Sequence, residues 1–128
     1  MNEKILRFHY EEIIYALMIL ATDLRDYSED DAKSFAEAVH RLDVLAEPSF
    51  LKKLIQFKPE IDDEIISNII NLQINISKIY EGLWYKKLRD KSDVLDNCTI
   101  LSKQLLKRLN EEYVEPIEYS NKNMDVDW

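Results

Sequence analysis

The chain has 128 residues, a net charge of −8, one glycine, three prolines and one cysteine. That length suffices for one domain with its own core, and a chain almost without glycine argues against folds that need many turns or positive-φ positions, so helix is expected. The acidic balance disfavours direct nucleic-acid binding, which relies on clustered Lys and Arg, and the lone Cys98 rules out an internal disulfide and suits a reducing, cytoplasmic home.

The first helix is expected from about Lys4 to Tyr27. Its middle, Ile13 to Ala21, is apolar on every side, which places this helix centrally, packed against the helix that begins near Ile61. The same run is too short to span a membrane, which takes about 20 residues. It also makes a poor leader, because Glu3, Glu11 and Glu12 outweigh Lys4 and Arg7, so no membrane association is expected.

Ser28 is placed to cap a second helix whose first turn carries Glu29, Asp30 and Asp31. Ala32, Phe35, Ala36, Val39 and Leu42 form its apolar side, and it should stop before Pro48. Ser49 is then expected to cap a short helix containing Phe50, Leu51, Leu54, Ile55 and Phe57.

The longest pattern runs from Ile61 to Arg89, with Ile65, Ile69, Leu72, Ile76, Ile79 and Leu83 in helical spacing and Trp84 continuing the stripe. Pro59 suits its first turn, and Gly82 inside it suggests close approach of another helix or a local kink. Ser92 is expected to cap a last helix carrying Val94, Leu95, Cys98, Leu101, Leu105, Leu106, Leu109 and Tyr113, limited by Pro116. The fold class is therefore all-α, an antiparallel bundle of four main helices plus one short helix over residues 1–113.

Residues 114–128 form an acidic, aromatic tail. From Glu111 onward six acids face only Lys122, a net of −5, which leaves −3 for residues 1–110. Ile117-Glu118-Tyr119 and Met124 to Trp128 alternate apolar and acidic residues, as in a small β-hairpin; the alternative is a disordered acidic terminus.

Chemistry is sparse. With Gly82 as the only glycine, phosphate-cradling loops, the nucleophile elbow and the calcium-binding loop are all missing. Glu37 and His40 match the Glu-x-x-His spacing of di-iron bundles, yet the second such pair is lacking, so no metal and no other cofactor is expected. His9 reads as a flank residue beside Phe8, and Cys98 lies on an apolar stripe as a small hydrophobe. Trp84, Tyr85, Lys86 and Lys87 mix aromatics with bases, but core packing and the helix dipole account for them. No catalytic residue stands out.

The surface feature with most content is acid mixed with aromatics. Asp26, Tyr27, Glu29, Asp30 and Asp31 at one place, and Glu115, Glu118, Tyr119, Asp125, Asp127 and Trp128 at another, form a candidate surface for a protein partner with a basic face. Asp26-Tyr27-Ser28-Glu29, followed by an amphipathic helix containing Phe35, resembles a helix start in the colicin nuclease immunity proteins. The paired-tyrosine recognition motif of that family is not recognisable here, and this chain is longer. The resemblance implies a non-enzymatic cytosolic inhibitor whose acids occupy the basic cleft of a nuclease toxin. The alternative is a helical adaptor or oligomerisation module docking through exposed aromatics, Trp84 and Tyr85 or the tail.

Overall fold

A computed structural model describes residues 3–79, 84–90 and 95–123. The fold is all-α, and no strand occurs among the described residues. In chain order the helices are α1 (Glu3–Leu20), α2 (Glu29–His40), α3 (Leu42–Leu45), α4 (Pro48–Lys53) with a 3-10 turn at Leu54–Gln56, α5 (Asp63–Ile79), α6 (Trp84–Asp90), α7 (Asp96–Arg108) and α8 (Pro116–Asn123). Gly82 and Ser92, expected as an interior helical residue and a cap, lie outside the described residues.

The apolar run of α1 explains its position. Ile13, Ile14, Ala16, Leu17, Met18, Ile19 and Leu20 are all buried, on every side of the helix, and α1 packs against α7, α2, α8 and α3. The expected main partner was the helix beginning near Ile61, but α5 packs chiefly on α7, α4 and α3, so α7 serves as a neighbour to both. Leu17 has no exposed surface; truncating such a residue to Ala typically costs about 2–5 kcal/mol.

Local signals set most of the boundaries. Ser28 is the N-cap of α2, its Oγ accepting the Asp31 N–H at 3.1 Å. Phe35, Ala36 and Val39 then face the core, and Phe35 meets Tyr27 and Tyr15 edge-on. The helix stops at His40 instead of running toward Pro48, and the chain turns at Arg41. There the Arg41 guanidinium lies 2.6 Å from the buried carboxylate of Glu12 on α1, which fixes the break to the core.

Glu47, not Ser49, caps α4. Its carboxylate accepts the N–H groups of Ser49 and Phe50 with Pro48 in the first turn, and the Ser49 hydroxyl also donates to it. Asp62 does the same for α5 through the Ile65 N–H at 2.8 Å, so that helix begins two residues beyond Ile61.

The largest departure is the tail. Pro116–Asn123 is a helix packed on α1, neither a strand nor a disordered segment over these residues. Proline suits its first turn, the Glu115 side chain accepts the Glu118 N–H at 3.1 Å, and Pro116 and Tyr119 share one buried face at three-residue spacing. Ile117, expected beside Tyr119 on a hairpin face, is partly exposed. The other expected arm, Met124 to Trp128, lies outside the described residues.

Candidate functional site

The two acidic stretches singled out in the sequence are far apart in the chain and meet in the fold. The reversal begins at the end of α7, which stops at Arg108 instead of reaching Tyr113. Asn110 adopts φ 58°, the left-handed conformation in which Asn is the usual substitute for Gly. The Glu111 N–H then reaches back to Leu106 O at 2.9 Å and the Asn110 N–H to Lys107 O at 3.1 Å, closing the helix end.

From there the chain crosses α1 as a strap. The Tyr10 hydroxyl donates to Glu111 Oε1 at 2.5 Å, and Lys58 Nζ lies 3.7 Å from the same carboxylate. The Tyr113 and Thr22 hydroxyls are 2.5 Å apart, and the Val114 N–H points at Met18 Sδ at 3.4 Å. The strap ends at Glu115, where one carboxylate oxygen accepts the Tyr27 hydroxyl and the other accepts the Glu118 N–H.

The joint between Tyr27 and Glu115 sets the start of α8 against the start of α2. Tyr15 is stacked on Tyr119 and edge-on to Phe35, and feels the charges of Glu115 and Asp31. Asp26, Glu29 and Asp30 are exposed and Asp31 is half-buried on the α2 side, while Glu118 is exposed on the α8 side. The Tyr85 hydroxyl donates to Glu29 at 2.7 Å, so Tyr85 borders the same surface.

Not every predicted contact residue is available to a partner. Tyr119 is only 5% exposed and stacks on Tyr15 with ring centroids 6.4 Å apart. Tyr27 and Glu115 are half-buried and engaged with each other. These three hold the surface together, and the acids around them form it. Asp125, Asp127 and Trp128 lie outside the described residues.

The electrostatics follow from burial. Burial, then Glu111, pushes the Tyr10 phenol far above its ordinary range; burial, then Glu115, does so for Tyr27; and burial, then Glu111 and Glu11, for Tyr119. Each phenol stays protonated as a donor or packing group. Glu29 moves the other way, held below the usual carboxylate range by the Tyr85 hydroxyl and then Lys33. It therefore keeps its charge on the surface.

Elsewhere the side chains read as structural. Glu37 is exposed, and His40 Nδ1 lies 3.1 Å from Asp43, which also accepts from Gln73 and Ser77 and so ties α3 to α5. Among the described residues no group of three or more His, Cys, Asp or Glu could hold a metal ion. Cys98 is buried, and burial raises its thiol. Trp84 is buried too, its Nε1–H directed at Ala36 O at 3.3 Å. Among the described residues no helix is long and apolar enough to cross a membrane.

One cluster had little signal in the sequence. Glu12 is buried and joined to Arg41 and to His9, whose Nδ1 is 2.8 Å away and whose ring meets Phe8 and Phe50 edge-on. Only the spacing of His9 and Glu12 on one helix face hinted at it. Comparison of the chain with protein-family models, with curated proteins and with solved structures finds no match.

Proposed function

We propose that this chain is a non-enzymatic binding protein of the immunity type, which blocks a basic, nuclease-like protein by covering it with the acidic surface around the Tyr27–Glu115 joint. The observation that carries the reading is the joint itself. It ties residues 26–31 to residues 115–118, with Glu29, Asp30 and Asp31 on α2 and Glu118 on α8, both packed on α1, and Asp26 and Glu115 just before those helices. Fixed carboxylates steer a basic partner and lose little freedom on binding.

Two further observations favour binding over catalysis or hydrophobic docking. The strongly shifted groups are buried phenols held protonated, whereas a general base needs a group poised to exchange a proton near neutral pH. Trp84, the larger anchor of an adaptor reading, is packed inside, and Tyr85 is tied to Glu29.

The test is recovery of the partner from the native host, followed by affinity measurements on the purified pair across a salt series. A basic partner whose association slows and whose affinity falls steeply with ionic strength supports the proposal. An acidic or neutral partner bound independently of salt refutes it.

A further inference from the structure

A cleft between the end of α1 and the C-terminal half of α7 is lined by two lysines and two acids, a neutral balance in a chain of net charge −8. Its volume is about 470 Å³, within the usual range of small-molecule sites. Buried Ala21 and Leu106 form its apolar floor, and Lys103 and Lys107 rise one helical turn apart along its α7 wall.

The acids at its rim are already engaged. Asp23 is gripped by Arg25, with Nη2 at 2.5 Å, and Glu111 accepts the Tyr10 hydroxyl and neighbours Lys58. The hydroxyls are committed as well. Thr22 donates to Met18 O at 2.7 Å, so the hydroxyl contact between Thr22 and Tyr113 takes its proton from Tyr113. Lys103 and Lys107 are exposed and enter no ion pair among the described residues. Among the described residues, the charged groups of this lining that enter no ion pair and accept no hydrogen bond are therefore the two lysines.

We propose that the cleft binds a small amphipathic carboxylate, its alkyl or aryl body on Ala21 and Leu106 and its carboxylate against Lys103 and Lys107. An amine would bring a cation to two cations, and the two acids of the lining are already held by Arg25 and by Tyr10 and Lys58. A short carboxylate such as acetate would leave the floor uncovered. The proposal does not depend on the acidic surface having a partner.

The full chain is titrated with octanoate and with 3-phenylpropanoate while amide resonances are followed, with octylamine and acetate as comparators. The expected result is saturable binding of at least one of the two carboxylates, with shifts centred on Ala21, Thr22 and Leu106. Acetate and octylamine should bind at least about tenfold more weakly. In a Lys103→Gln/Lys107→Gln variant, folded by circular dichroism, carboxylate affinity should also fall about tenfold. The proposal is overturned if neither carboxylate saturates, if the shifts centre elsewhere, if octylamine or acetate binds equally well, or if the variant retains full affinity.

Discussion

The Tyr27 hydroxyl donates to Glu115 across 88 positions of sequence, and the same carboxylate caps α8 through the Glu118 N–H. One side chain thus starts a helix and ties it to the loop before α2. Removing the donor by Tyr27→Phe should cost about 1–2 kcal/mol, the range of a partly exposed hydrogen bond to a charged group. Urea unfolding measures the loss, and amide exchange should quicken first in α8. Unchanged exchange in α8 would show that the strap is held by packing alone.

Alkaline pH should weaken the fold steeply. Tyr10 and Tyr119 are buried and their folded values lie far above those of an unfolded phenol, so their contribution is complete below pH ~10 and is lost as the unfolded chain ionises above it. Each can steepen the fall by up to about 1.4 kcal/mol per pH unit. Tyr15 and Tyr27 shift the same way but are more open, and add less. Phenolate absorbance and helical signal should change together; phenolate formation in an intact fold would contradict the burial argument.

Ser102 on α7 has no exposed surface, and its Oγ is the one fully buried side-chain polar atom without a partner among the described residues. Replacing it with Ala removes a desolvated hydroxyl at almost constant volume. The expected change is from neutral to about 1 kcal/mol of stabilisation. Thermal unfolding decides, and a clear loss of stability would mean that the hydroxyl has a hydrogen-bond partner.

Arg41→Met should leave the Glu12 carboxylate buried with only His9 beside it. Because Arg41 itself is about half exposed, the cost should be about 2–3 kcal/mol, below that of a fully buried pair. The double variant Glu12→Met/Arg41→Met should recover much of that loss, since no stranded charge remains. Strictly additive losses would show that the two residues act independently.

The parts of the fold legible in the sequence were those written in local patterns. The all-round apolar stretch Ile13–Ala21 dictated a central helix, and Ser28 with its three following acids dictated the start of α2. What escaped was settled by contacts between distant segments. Over Ile117-Glu118-Tyr119 a two-residue alternation and a helical spacing from Pro116 to Tyr119 are equally consistent, and burial of Tyr119 against Tyr15 selects the helix. Asn110 ends α7 early by taking a conformation that most residues avoid, a signal that could have been weighed in a chain with one glycine. The residues of the acidic surface were legible as two patches, but their junction was not, because nothing local links Tyr27 to Glu115.

The most direct measurement compares two matched pairs of neutralised acids in binding to the purified partner. Asp26→Asn/Asp30→Asn removes exposed charge beside the Tyr27–Glu115 joint, and Asp63→Asn/Asp96→Asn removes it from the first turns of α5 and α7. The proposed function predicts that the first pair weakens association about five- to tenfold, mostly through the on-rate, and that the second has little effect. Equal losses from both pairs, or none from the first, would contradict it.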